Sequence, residues 1–411
     1  MENDTQLQQV QRLQLTDRPK ANALLLAFVR EIFKELDIAT LDLTPKKTSL
    51  NSINGFLTLN NGHRYFFKTH TEPKSIVKEY YNVPILQQAG YTILPPTHAS
   101  TDYGKQFLLY EDIGEPEVFQ VTYDIEHGTR NDDIDTLTSA QQHSDDALFQ
   151  IYSQTLEFQS SEEAEKAAIH SLFHHRLAGE RYQDFYSGKV IALPGKSLLW
   201  ETICKRHWII NGIQFQGTLE ELIQQAKALL HPDQAGPSII GHGDAHNGNL
   251  FYTPPELTYF DPAVAGRHHP LLDIIKPLFH NVFATWLYDP DEINAKCHIT
   301  WTDDGQTIIV NHDYQLSDSR KMFFESKVAR VLTPTLHLLK EQNLLPSHWR
   351  RFMKSALMCC PLLTKNIANS QEFPQNITLL ALSFVVEMGM PSRDDSSYLD
   401  NALKRAQEAV T

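Results

Sequence analysis

Residues 239–252 read IIGHGDAHNGNLFY. The flanking runs, Ser238 to Gly241 and Leu250 to Tyr252, have the composition of short strands. Between them lie His242, Asp244, His246 and Asn249, so a loop dense in polar chemistry is fixed at both ends. Further on, LTYFDP repeats the device, with Phe260 ending a strand and Asp261 opening a loop. Two carboxylates and a carboxamide are thus expected to converge from loops held by one small sheet. Asp244 and Asp261 side by side repel each other, so a positive charge must sit between them. Hard oxygen donors without cysteine suit Mg²⁺, which keeps several waters and usually bridges phosphate oxygens.

Ahead of this stretch the periodicity changes twice. Over 22–37, Leu25, Phe28, Val29, Ile32, Phe33 and Leu36 recur at helical spacing with Arg30, Glu31 and Lys34 opposite, which predicts an amphipathic helix. From about 48 to 70, INGFLTL, Asn60-Asn61-Gly62 and HRYFFKTH read as two strands joined by a tight turn, since Asn-Gly tolerates positive φ. A helix is expected over 74–89, ended by Gly90 and broken or kinked at Pro84. Tyr91–Leu94 and Phe107–Tyr110 read as two further strands. Asp124–Asp146, with its NDDID and HSDD clusters, reads as a polar loop or insertion. Helical patterns then dominate over 146–159, 162–187, 218–230, 271–287 and several segments from 319 to 408. The expected fold class is α+β. A small N-terminal lobe with an antiparallel sheet (residues 1–112) precedes a larger, mainly helical lobe (residues 113–411), and the cleft between them is the default ligand site.

The run His242-Gly243-Asp244-Ala245-His246-Asn247-Gly248-Asn249, followed by strand-terminal Asp261, resembles the His-Gly-Asp-x-x-x-x-Asn signature of aminoglycoside phosphotransferase-like and choline-kinase-like small-molecule kinases. These are distant relatives of the protein kinases, whose catalytic loop reads H-R-D-x-x-x-x-N. The family pattern also has a glycine and an aspartate where GRHHPLLDI supplies Gly266 and Asp273. The resemblance implies a bilobal, protein-kinase-like fold with ATP and Mg²⁺ as cofactors. The implied reaction moves the γ-phosphate of Mg-ATP to a hydroxyl of a small molecule: an amino alcohol, an aminoglycoside, a sugar or an amino-acid derivative. By the same resemblance, Lys68 in YFFKTH is the lysine contacting the α/β-phosphates, and Glu79 on the following helix is its ion-pair partner. FLLYEDIG (107–114) is the hinge, with Leu109, Tyr110, Glu111 and Ile113 against the adenine. Asp244 accepts or orients the proton of the acceptor hydroxyl, and Asn249 and Asp261 hold Mg²⁺. The motifs run in this order over about residues 50–285. One departure stands out: between Ser49 and Phe56 the only glycine is Gly55, so no G-x-G-x-x-G loop covers the phosphates, and SLNSING must do so through Ser and Asn donors.

Bulk properties narrow the partners. The formal net charge of −14 argues against nucleic acid or an anionic membrane, both of which want a cationic face, and mildly favours a cationic acceptor. The four cysteines include no CxxC pair and no zinc spacing. Cys359-Cys360, inside the apolar run Leu357–Leu363, reads as core in a reducing compartment. The N-terminus MENDTQLQQVQ is too polar for a signal peptide, and Ala23–Val29 is too short to cross a bilayer. The expectation is a cytoplasmic protein with a small-molecule partner, and oligomeric state leaves no sign in the sequence. His242 reads as a brace for its loop, Asp273 as a loop or helix-cap residue, and the Arg267-His268-His269 run as a polar loop rather than a zinc site. A nucleotide-binding pseudokinase acting as a scaffold is the alternative, which the intact Asp244, Asn249 and Asp261 set disfavours. A protein kinase is disfavoured too, because no Ala-Pro-Glu segment follows Asp261 and a helix is expected near Leu271.

Overall fold

Two antiparallel strands, β2 (Ser52–Leu59) and β3 (Arg64–His70), form around the expected turn, where Gly62 takes a φ of 85°. They are the centre of a five-stranded antiparallel sheet completed by β1 (Ile38–Leu43), β4 (Pro96–Ser100) and β5 (Phe107–Glu111), in the order β1-β2-β3-β5-β4. This computed structural model describes residues 6–14, 16–44, 52–70, 73–102, 104–130 and 134–410, with the backbone alone at 52, 70 and 73–79. Alternation sets the two faces of the sheet. Ile53, Leu57, Tyr65 and Phe67 pack on the helices α1 (Gln6–Leu13) and α2 (Arg18–Ile32), which bring Leu7, Val10, Leu25, Phe28 and Val29. Lys68, one residue out of phase with Phe67, therefore points to the other face. Gly55 has a structural reason inside β2: a Cβ there would stand 2.1 Å from the Asp42 carbonyl oxygen and 2.7 Å from the Phe67 ring. Of the SLNSING segment, residues 49–51 lie outside the described residues.

The helix α3 (Pro73–Ala89) runs on through Pro84 instead of breaking there, and Gly90 ends it with a φ of 106°. The carbonyl that Pro84 leaves without a donor belongs to Tyr80, a residue that is itself exposed. Tyr91–Leu94 is not a strand but makes a single bridge, Ile93 to Tyr259. The strand begins at Pro96, on the sheet edge where a missing N–H costs nothing.

The stretch expected as a loop at 124–146 is largely helical. It holds the end of α4 (Val118–Glu126) and the first half of α5 (Ile134–Thr155). In α5, Leu137, Ala140, Gln141, Ser144, Asp145, Leu148, Ile151 and Tyr152 are buried at three-and-four spacing. The acid in this face that suggested solvent is in fact partnered: Asp145 contacts the Lys327 ammonium and accepts from the Ser326 hydroxyl at 2.7 Å.

The larger core is built on the helices Trp349–Leu363 and Gln375–Gly389, and Cys359 and Cys360 are buried in it as free thiols. The expected helix over 162–187 is broken into short turns, and that over 271–287 into Pro270–Asp273, Ile275–His280 and Thr285–Tyr288. A sheet that the periodicity did not announce also stands in this lobe, with Ile213–Phe215, His207–Ile210, Thr307–His312 and Ile299–Asp303 as neighbours in that order. Its sequence signal was present in HWII-NG-IQF, since Asn211 and Gly212 take φ values of 49° and 80° in a hairpin turn. Among the described residues, no helix is long and apolar enough to cross a membrane.

Candidate active site

Two small strand assemblies, not one sheet, hold the polar loop. Gly236–Gly241 lies between Gly266–His268 and Glu157–Gln159, whereas Leu250–Thr253 pairs with Glu256–Tyr259 in a separate hairpin. The loop 242–249 crosses from one to the other and ends in a short turn at Asn247–Asn249. The lobe carrying Lys68 is tied to the same hairpin. The Tyr259 N–H donates to the Thr92 carbonyl at 2.8 Å, the Leu94 N–H donates to the Tyr259 carbonyl at 2.9 Å, and Asn82 Nδ2 donates to the Pro262 carbonyl at 2.8 Å.

Asp273 organises the loop from beneath. It accepts from the Gly243 N–H at 2.5 Å, from His268 Nε2 at 2.9 Å and from the Tyr152 hydroxyl. Burial pushes its carboxyl up, but His268, Tyr152 and the Gly243 N–H more than offset this, so its pKa lies below the ordinary value. Gly241 is required by this packing, because a Cβ there would stand 2.5 Å from His268 Nε2 and 2.6 Å from Asp273 Oδ1. His242 Nε2 donates to the Phe260 carbonyl at 2.9 Å, which joins the two polar loops. His268 is spent on Asp273, and His269 Nδ1 accepts from the Leu271 N–H at 3.1 Å as a helix cap. Among the described residues, no group of three or more His, Cys, Asp and Glu side chains is placed to hold a metal by itself.

The expected site residues meet as follows. The Lys68 ammonium, almost fully buried, contacts Asp261 Oδ1 directly. Asp261 sits at a φ of 60°, a left-handed conformation that aspartate tolerates better than most residues and that occurs preferentially at functional sites. Burial raises its carboxyl and Asp244 raises it further, yet Lys68 dominates and the net pKa is lowered. Asn249 Nδ2 donates to the Asp244 backbone carbonyl at 2.8 Å, which turns the carboxamide oxygen away as a prospective ligand. The Asp244 and Asp261 side chains keep 27% and 28% of their surface exposed, so an incoming group can reach both. Of the hinge residues, Leu109 is in the N-terminal core and Tyr110 is on the opposite face. Glu111 pairs with His63 at 2.9 Å, and Ile113 lies partly buried in the connection to α4. The Glu79 side chain falls outside the described residues.

Around Asp244 the structure gives His246 its place and adds Lys276 and His280, which the motif reading passed over. Lys276, 5% exposed, places its ammonium 3.7 Å from Asp244 Oδ1, and His246 Nε2 lies 4.0 Å from the same oxygen. His246 Nδ1 accepts from the Gly248 N–H at 3.1 Å, so its proton is on the nitrogen facing Asp244. Burial raises the Asp244 carboxyl, but Lys276, then His246, Arg176 and His242, pull its pKa below the usual range. Lys276 in turn is 3.0 Å from His280 Nε2, and His280 Nδ1 is 2.7 Å from the Tyr288 hydroxyl. Burial, reinforced by Lys276, pushes His280 well down and keeps it neutral. Tyr288 lines a cavity of about 260 Å³ whose walls include Phe119, Tyr123, Tyr314, Asp289 and Glu292. A faint signal for Lys276 existed, since it stands one helical turn after Asp273 in LLDIIKPLFH.

No family model and no curated protein sequence matches this chain. Among solved structures it is similar to the amicoumacin kinase hAmiN in complex with AMP-PNP, Ca²⁺ and Ami, at 14% identity over 87% of this chain and 92% of that one, with a TM-score of 0.45. A thermostable mutant of aminoglycoside phosphotransferase APH(4)-Ia shares 11% identity over 88% and 97%, with a TM-score of 0.47. A putative fructosamine-3-kinase from Thermobifida fusca YX-ER1 shares 11% over 88% and 97%, with a TM-score of 0.38. The solved structures to which this chain is similar are thus small-molecule kinases and phosphotransferases.

Proposed function

We propose that this protein is an ATP-dependent, Mg²⁺-requiring phosphotransferase that moves the γ-phosphate of ATP to a hydroxyl of a small molecule. The nucleotide lobe reaches to about residue 112, and the remainder carries the catalytic loop and the acceptor pocket. The single observation that supports this most is the meeting of Lys68 with Asp261 beside Asp244 and Asn249, because residues so far apart in sequence have no structural need to share one cleft. The donor set suits Mg²⁺. Asp261 is an acid already neutralised by a cation, Asn249 offers an amide oxygen, and the remaining positions are left for water and phosphate. Asp261 and Asn249 would hold the metal, which when bound screens the phosphate charge. Lys68 supplies a fixed positive charge to the phosphates. Tyr110, on the face of the sheet opposite the N-terminal helices, seats the base with Glu111 and Ile113, whereas Leu109 faces the N-terminal core. Asp244, charged and reachable, orients the acceptor hydroxyl and takes its proton as the new P–O bond forms and ADP leaves.

The cavity beside Tyr288 is the acceptor site in this reading. At about 260 Å³ it lies below the roughly 300–1,000 Å³ of most ligand pockets, which favours an amino alcohol, single sugar or amino-acid derivative over a multi-ring aminoglycoside. Aromatic walls with Asp289 suit an acceptor carrying an amine, while Glu292 is already held by Lys296 and His127. The test is turnover of Mg-ATP by the purified protein against a panel of amino alcohols, sugars, amino-acid derivatives and aminoglycosides. ADP release stimulated by one acceptor class supports the reading. No turnover, together with no shift of melting temperature by Mg-ATP, removes it.

A further inference from the structure

Lys276 has no part in the motif set, yet it is 5% exposed and its ammonium lies 3.7 Å from Asp244 Oδ1. Burying an ammonium is costly unless it is closely partnered, and here it stops short of a contact ion pair. The reason is on its other side, where His280 Nε2 takes it at 3.0 Å. An ammonium only donates, so Nε2 is the acceptor of the neutral ring. Nδ1 then carries the proton and donates to the Tyr288 oxygen at 2.7 Å. Along this chain every donor points the same way, and the Tyr288 O–H is left to donate into the cavity. Asp244 Oδ1 is buried and accepts no hydrogen bond from any described residue, so the exposed oxygen of this carboxylate is Oδ2.

We propose that Lys276 is a positioning residue for phosphoryl transfer: pinned by His280 and Tyr288, it holds a fixed positive charge behind Asp244 Oδ1 and leaves the exposed Oδ2 uncapped to take the acceptor proton. This rests on the assignment of Asp244 above. In the step itself the acceptor oxygen bonds to the γ-phosphorus as the bond from that phosphorus to the β–γ bridging oxygen breaks. The electron pair leaves with ADP, and the hydroxyl proton goes to the exposed oxygen of Asp244, Oδ2. A lysine free to swing onto Oδ2 would occupy the lone pair this transfer needs, whereas one held 3.7 Å behind Oδ1 lends its field and leaves Oδ2 open. The same chain ends at the Tyr288 hydroxyl, so the acceptor pocket and the proton acceptor are tied together by one set of hydrogen bonds.

The test uses the full-length protein, Mg-ATP and whichever panel acceptor turns over, with water as acceptor otherwise. Lys276→Met is expected to lower kcat about 100-fold while leaving KM for ATP within about threefold, the size of effect seen when one fixed electrostatic group is removed from a site. Lys276→Arg, which keeps the charge, is expected to recover at least about tenfold of that loss. His280→Leu removes the pin and decides the matter if Lys276→Met does not fold. Lys276 then closes on Asp244, and kcat falls about tenfold with ATP binding unchanged. Equal kcat for Lys276→Met and wild type, equal kcat for the Met and Arg variants, or an unaffected His280→Leu overturns the proposal. A wild-type protein that neither transfers nor hydrolyses Mg-ATP overturns the kinase reading together with it.

Discussion

Two aspartates in this cleft each face a lysine, and the two pairs are built differently. Lys68 lies directly on Asp261, from a strand of the small sheet, and the contact is closed. Lys276 approaches Asp244 from the helix Ile275–His280 and stops at 3.7 Å, held by a histidine. Both carboxyls have lowered pKa values for the same physical reason, a cation that outweighs burial. The difference lies in what the oxygen can do next. A carboxylate in a closed pair is neutralised and can exchange its ammonium for another cation, which suits a metal ligand. A carboxylate with an open oxygen and a distant cation stays charged and can accept a proton.

The largest expected effect breaks the open member of the comparison. Asp244→Asn removes the proton acceptor but keeps the size of the side chain, and kcat should fall by roughly 10²–10⁴ with Mg-ATP affinity retained. Rapid-quench turnover and a nucleotide-binding titration on the same preparation check this. An Asp244→Asn variant that binds ATP and keeps full biological activity would favour the scaffold reading instead.

A smaller effect concerns the support that both pairs share. Asp273→Ala leaves the Gly243 N–H, His268 and the Tyr152 hydroxyl without their buried partner, at about 1–3 kcal/mol for each group stranded. A loss of about 3 kcal/mol in chemical denaturation is expected, with turnover reduced because the loop 242–249 loses its anchor. Unchanged stability would mean that the loop is held by its flanking strands alone.

The smallest effect sharpens the comparison with a third carboxylate whose cation is spent elsewhere. Lys354 Nζ donates to Asp400 Oδ1 at 2.7 Å and to the backbone carbonyl of Glu387 at 2.9 Å, not to the Glu387 carboxyl. Burial is then the dominant influence on the Glu387 side chain and pushes its pKa up to about 7. Because the folded value lies above the unfolded one, this residue makes stability fall as pH rises from about 4.5 to about 7, and the cost is fully present above that window. Glu387→Gln should therefore stabilise the protein by about 1–2 kcal/mol at pH 8 and by little at pH 4.5, read from denaturation midpoints at the two pH values. A pH-independent difference would place the carboxyl in contact with solvent.

What the sequence disclosed follows a physical division. Residues whose meaning is local were legible: the Asn60–Gly62 turn, the β2–β3 pair and the end of α3 at Gly90 each depend on neighbours in the chain. The loop 242–249 was legible because glycines and polar groups between apolar runs have few other uses. Long-range pairing was not. Asp145 looked like part of a solvated loop because its partner, Lys327, is far along the chain. Thr307–His312 was missed in part for the same reason: it makes a local hairpin with Ile299–Asp303, but its other neighbour, His207–Ile210, is recruited from about a hundred residues earlier. Lys276 was passed over because a buried lysine has no periodicity of its own. Its place one helical turn after Asp273 was a faint sign, and the distance to Asp244 gives it meaning.

The most direct measurement is calorimetric titration of a non-hydrolysable ATP analogue into wild type, Asp261→Asn and Asp244→Asn, each with and without Mg²⁺. Metal-dependent binding to wild type and to Asp244→Asn, with binding lost or at least about 100-fold weaker in Asp261→Asn, is the predicted result. Analogue binding that ignores Mg²⁺ and is the same in all three proteins would contradict the account.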